Sequence, residues 1–174
     1  DYGSLDNVYT KDNTSQISHQ KPLLCGIFAD DMPQNIVTRV VNFHLDIVRL
    51  DGEESPVMID NLRKTLDPDI HAGIKIMKSF TVSSQDDLKI CKEYVGHADY
   101  FLFKLETPFD KSLFSEYKED VPFLLSDNAI ATEAESIKSL SFPQFLGVSI
   151  DCGFDTESGL KDVESLKRFL EKLH

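Results

Sequence analysis

The chain is short of positive charge: 18 Lys and Arg stand against 30 Asp and Glu, a formal net charge of -12. That balance repels phosphate backbones and anionic lipid, so neither nucleic acid nor a membrane surface is an expected partner. No apolar run approaches the roughly 18 residues that a membrane span requires. Cysteine is scarce as well, and Cys25, Cys91 and Cys152 lie far apart and are odd in number. Without a CxxC pair or a Cys–His cluster, neither a disulfide framework nor a metal site is expected. Reduced thiols fit a cytoplasmic location. The opening residues, DYGSLDNVYTKDNTSQ, are polar and read as neither a signal peptide nor an anchor.

Residues 1–20 read as a polar arm, and residues 21–174 as one domain large enough to bury a core. Short apolar runs then alternate with amphipathic segments. PLLCGIFA is the first strand, followed by helical spacing from Met32 to Phe43 through Ile36, Val37, Val40 and Val41. DIVRL is a strand, and Ser55 with Pro56 opens a helix over PVMIDNLRKTL. IKIMKSF precedes a helix from Ser84 to Val95, and YFLFKL one from Lys111 to Tyr117. PFLLS precedes a helix from Thr132 to Leu140, and FLGVSI one from Ser158 to Leu173. Strands apolar throughout imply burial on both faces and a parallel sheet. Six βα units leave an open doubly wound sheet or part of a (β/α)8 barrel, and periodicity does not choose between them.

The run LDIVRLDGEESPVMIDNL, Leu45 to Leu62, resembles the fourth-strand region of the phosphoribosylanthranilate isomerase family, which reads there "LDxVQLHGxESPxxIxxL". GIFADDMPQNIVTRV is similar to the family's third strand and helix, IKIMKSF to its fifth strand and YFLF to its sixth. PFLLS with Asp127-Asn128-Ala129-Ile130 stands where the family has "LAGGL" or "LSGGI", and FLGVSIDCGFDTESGLKD where it has "GVDVSSGVE...PGxKD". The resemblance covers Lys21 to His174 and implies an α/β TIM barrel of the (β/α)8 family. It also implies an Amadori isomerisation of N-(5-phosphoribosyl)anthranilate in tryptophan biosynthesis, without a cofactor. By that resemblance a carboxylic acid ending the sixth strand protonates the ribose ring oxygen, and a cysteine ending the first strand removes the C2' proton. Glycine turns after the seventh and eighth strands hold the phosphate.

Several positions depart from that pattern. Lys104 stands at the family's acid position, and a lysine ammonium is a weak acid for an ether oxygen. Its charge could instead attract a ligand carboxylate or phosphate. Asp127 and Asn128 replace Gly-Gly, which hinders backbone approach to a phosphate. A carboxylate so near a dianion costs on the order of 1 kcal/mol. Ser149 replaces an Asp, Asp151 falls where a small hydroxyl residue is common, and Gly153 is kept. Asp51 replaces the His of "LHG", where it could bind a cation or a hydroxyl; a solvated strand-end residue is the reading favoured here. Glu53 and Glu54 read as loop decoration, the five histidines as ordinary surface, and Arg49 as a buried cation needing a carboxylate. The resemblance thus nominates Asp51, Ser126, Asp127, Asn128, Ser149 and Gly153 for substrate binding, with no catalytic residue assigned and a phosphorylated small molecule as ligand.

LLCGIF mimics the family's first strand, "KxCGM", but the next strand carries the fourth-strand signature. Cys25 therefore reads as a strand-interior thiol below the catalytic rim, a small hydrophobe. On this register the family's first strand, first helix and second strand have no counterpart, and the chain reads as a truncated, degenerate member. Exposed strand edges would need a cover, from a homodimer or from the arm. Three functions stay open: an isomerase of tryptophan biosynthesis, a degenerate non-catalytic barrel that binds or scaffolds, and an unrelated doubly wound binding domain.

Overall fold

Six strands form one sheet in the computed structural model, which describes residues 21–106, 110–126, 137, 142–150, 154–156 and 159–173. They are β1 (Cys25–Phe28), β2 (Ile47–Leu50), β3 (Lys75–Val82), β4 (Tyr100–Leu105), β5 (Phe123–Ser126) and β6 (Phe145–Ser149). All neighbours are parallel, and their order in the sheet is their order in the chain. The described helices are α1 (Pro33–Phe43), α2 (Pro56–Leu66) and α3 (Val163–Leu173).

Successive strand residues point to opposite faces, so the sheet sorts its side chains. On the outer face Val48, Leu50 and Ile76 pack against Ile36 and Val40 of α1 and Ile59, Leu62 and Leu66 of α2. Further along, Phe101, Phe103, Phe123, Leu125 and Val148 join Phe114, Tyr117 and Phe169 of α3. The inner face carries its own apolar layer of Ile47, Met77, Leu102 and Leu124, with Cys25 against it.

One contact decides the architecture. Arg49 Nη1 lies 3.5 Å from Ser149 Oγ, although β2 and β6 are four strands apart. In a flat sheet, at about 4.8 Å per strand, that step would span roughly 19 Å, beyond the reach of the two side chains. The sheet therefore curls around its inner face, as a barrel sheet does and a flat doubly wound sheet does not.

The expected strands are all present, with no end shifted by more than three residues and YFLFKL matched at both ends. Two expected helices are corrected: Asp87–Tyr94 and Lys111–Glu116 are 3₁₀ segments. The Asp87 carboxylate accepts the amides of Ser83 and Ser84 at 2.8 Å each, fixing a tight start. A 3₁₀ path also rises about 2.0 Å per residue against 1.5 Å, so a short connection spans more distance. The last helix begins at Val163 rather than Ser158, with Asp162 Oδ1 accepting the Ser165 amide at 3.0 Å. The helix expected from Thr132 to Leu140 lies outside the described residues except for buried Ile137.

Candidate functional site

The carboxyl ends of the strands bring polar residues onto the inner face, above the apolar layer. Arg49 comes from β2, Ser79 from β3, Lys104 from β4, Ser126 from β5 and Ser149 from β6, with Asp51 just past β2. Asp51 is the hub. Arg49 Nε donates to Oδ1 at 2.8 Å and Nη2 to Oδ2 at 3.0 Å. Ser79 Oγ donates to Oδ1, and Lys104 Nζ to Oδ2. Burial by itself would raise the Asp51 carboxyl, but hydrogen bonds from Arg49, Lys104 and Ser79 with the Arg49 charge outweigh it and hold it down at about 2. At neutral pH Asp51 is a carboxylate that takes hydrogen bonds from both the Arg49 guanidinium and the Lys104 amine.

Donors of this kind suit an anion, and the neighbouring hydroxyls suit one too. Ser149 accepts from Arg49 Nη1, and Ser126 pairs with it in strand register. Ser126 is fully buried, yet among the described residues its Oγ has no hydrogen-bond partner. A buried hydroxyl left so is disfavoured by about 1–3 kcal/mol unless something else binds it. Among the described residues no group of three or more His, Cys, Asp or Glu could hold a metal ion.

A second ion pair lies on the opposite face of β3. Lys78 Nζ sits 3.4 Å from Glu54 Oε2 and donates to the carbonyls of Gly52 at 2.6 Å, Ser79 at 3.2 Å and Leu50 at 3.3 Å. Glu54 Oε1 accepts the Asp30 amide at 2.9 Å. The LDGEESP signature now has a physical reading. A Cβ on Gly52 would stand 2.5 Å from the Asp30 backbone nitrogen, Glu54 ties that same loop to Lys78, and Ser55 Oγ caps α2 by accepting the Met58 amide at 3.3 Å.

Two sequence expectations are corrected here. Asp51 is no solvated strand-end residue: its side chain is 13 % exposed and saturated with donors. Glu54 is no loop decoration but a buried carboxylate; neither it nor Lys78 was legible, because a charged pair facing the helices breaks the apolar strand pattern without revealing its partner. Arg49 does find its carboxylate, and Lys104 reaches the mouth as expected from its strand position. Ser126 and Ser149 join them, whereas Asp127, Asn128, Asp151, Cys152 and Gly153 lie outside the described residues. Cys25 starts β1 and faces the apolar layer, away from the polar rim. Burial pushes the Cys91 thiol up to about 12, which makes it inert. His97 lies at the surface, where its Nδ1 meets Asp60 at 2.8 Å.

A curled parallel sheet with its polar side chains gathered at the strands' carboxyl ends defines a barrel of the (β/α)8 kind with a candidate site at its mouth. Known proteins agree. The family pattern described as N-(5'phosphoribosyl)anthranilate (PRA) isomerase matches residues 4–172. The chain belongs to that family. It is 30% identical over 177 residues to N-(5'-phosphoribosyl)anthranilate isomerase of Parabacteroides distasonis, covering 97% of this chain and 77% of that protein. Its counterpart in Phocaeicola vulgatus is 24% identical over 95% of this chain and 84% of its own length. In fold, the chain is similar to monomers generated from the dimeric isomerase of Thermotoga maritima, with TM-score 0.69, 22% identity, and 89% and 74% of the two chains covered. A phosphoribosyl anthranilate isomerase solved with reduced 1-(o-carboxyphenylamino)-1-deoxyribulose 5-phosphate gives TM-score 0.65 at 22% identity, over 86% and 70% of the chains.

Proposed function

We propose that the mouth serves its family's reaction, binding N-(5'-phosphoribosyl)anthranilate for Amadori isomerisation in tryptophan biosynthesis. The observation that carries this reading is the convergence of Arg49, Lys104, Ser126 and Ser149 on the inner face around one neutralised carboxylate. Such a mouth offers basic side chains and hydroxyl donors to a ligand bearing a phosphate and a carboxylate. A relative of the same fold holds a product analogue of that chemical class. A homodimer belongs to the reading, supported by the dimeric Thermotoga maritima relative. A cytoplasmic setting goes with it, supported by the few, scattered thiols.

A second reading, a barrel that binds the ligand without turning it over, is favoured by one observation. The isomerisation needs a group that protonates an ether oxygen and one that removes a carbon-bound proton. Asp51, held at about 2, is a weak base, and the Lys104 amine is engaged with that same carboxylate. Growth of a tryptophan auxotroph carrying this chain, with decay of anthranilate-conjugate fluorescence in vitro, supports the first reading. Calorimetric binding of the reduced product analogue without turnover selects the second, and absence of binding overturns both. Light scattering that shows a clean monomer overturns the dimer.

A further inference from the structure

We infer that Lys78 is a positioning residue for the mouth: from behind the sheet its amine fixes the backbone that carries Asp51 and Ser79, and so sets the hub that meets the ligand. This rests on the reading that the mouth binds a phosphorylated small molecule, and it adds a residue on the far side of the sheet. Lys78 Nζ donates to the carbonyls of Leu50, Gly52 and Ser79. Leu50 and Gly52 flank Asp51, and Ser79 is the residue whose hydroxyl donates to Asp51 Oδ1. One buried amine on the outer face thus gathers the main-chain oxygens around both inner-face partners.

Strand register points the same way. The described pairing of β2 with β3 ends at Leu50–Lys78. Asp51 and Ser79 lie one residue further on, where the Asp51 amide donates to the Phe28 carbonyl of β1 at 2.7 Å. At that level the Lys78 amine joins the ends of β2 and β3. Successive strand residues alternate faces, so a fixed level there keeps Asp51 and Ser79 together on the inner face. Glu54 belongs to the same loop as Asp51, and its Oε1 accepts the Asp30 amide at 2.9 Å, which anchors that loop just past β1.

Charge explains the choice of residue. The Lys78 and Glu54 side chains are 4% and 2% exposed, with Nζ 3.4 Å from Glu54 Oε2. A buried ion pair is costly, and an apolar side chain would fill the space beside the rings of Phe80 and Tyr94 without that cost. It would lack the hold on three carbonyls. Lysine carries three donors on one nitrogen, whereas a guanidinium spreads its donors over a plane.

The test follows the Asp51 carboxyl carbon of the full chain by NMR through an acid titration, with calorimetric binding of the reduced product analogue alongside. In the parent Asp51 should stay ionised to about pH 3, since its carboxyl lies at about 2. The variant is Glu54→Gln with Lys78→Met, which removes one charge of each sign and leaves neither partner buried alone. Its Asp51 should take up a proton nearer the ordinary 3.8, and analogue affinity should fall about tenfold or more. Lys78→Arg keeps the charge opposite Glu54 without the single-point hold, so its Asp51 should also move up; it replaces the double variant if that chain does not fold. Leu62→Ala opens a cavity in the outer core cluster and should leave both readouts at the parent values. Asp51 unmoved in the folded variant, or moved equally by Leu62→Ala, overturns the inference. A moved Asp51 with unchanged affinity overturns the role in the mouth. A parent that does not bind the analogue overturns the ligand reading, while its Asp51 titration against the variants still decides what Lys78 holds.

Discussion

Two lysine–carboxylate pairs flank the same sheet and differ in everything but chemistry. Lys78 and Glu54 face the helices with side chains 4% and 2% exposed, and the amine also holds three backbone carbonyls beneath the rings of Phe80 and Tyr94. Lys104 and Asp51 face the interior, and the Lys104 amine, 29% exposed, has the Asp51 carboxylate that Arg49 already occupies. The covered pair ties loops to strands and faces away from the mouth. The open pair keeps an amine partly exposed at the carboxyl end of the strands.

The largest effect should come from the covered pair. Glu54→Ala leaves the Lys78 ammonium buried without its carboxylate and should destabilise the fold by about 3–5 kcal/mol in denaturant titration. A loss below about 1 kcal/mol would erase the distinction drawn here. Next is Asp51, whose carboxyl is lowered from 3.8 to about 2 in the folded chain. A depressed carboxyl contributes stability above its unfolded value and loses it as pH falls, so about 2 kcal/mol should disappear between pH 4 and pH 2. Asp51→Asn should flatten that acid limb, and an unchanged limb would show that the hub is not a folded-state carboxylate.

Smaller effects separate the rim from the layer below it. Cys25→Ala should cost about 1 kcal/mol through lost packing and leave ligand binding intact, since the thiol faces apolar neighbours. Loss of binding at unchanged stability would put Cys25 in the site. Ser126→Ala should stabilise the fold slightly, by about 1 kcal/mol or less, because it removes a buried hydroxyl that no described group satisfies. The same variant should weaken binding of the product analogue; a destabilised variant with full affinity would take Ser126 out of the mouth.

Much of this was readable in the chain. Ser55 and Pro56 announced α2, apolar strands announced a parallel sheet, and Arg49 in such a strand demanded a carboxylate. Two segments misread as α-helices, Asp87–Tyr94 and Lys111–Glu116, carry short apolar spacing that suits 3₁₀ and α turns alike. The hub was not readable as a unit. Asp51 and Lys104 are 53 residues apart, and Arg49 and Ser149 are 100 apart.

The sequence by itself determined the order of βα units, their parallel pairing and the family, because alternation, capping and turn chemistry act over a few residues. Only the tertiary structure decided which charges meet. Strand curvature carries β6 round to β2, and that curl brings Arg49 to Ser149, gathers Arg49 and Lys104 on Asp51 and buries the Ser126 hydroxyl. Such encounters depend on through-space distance after closure, a quantity that no local pattern encodes.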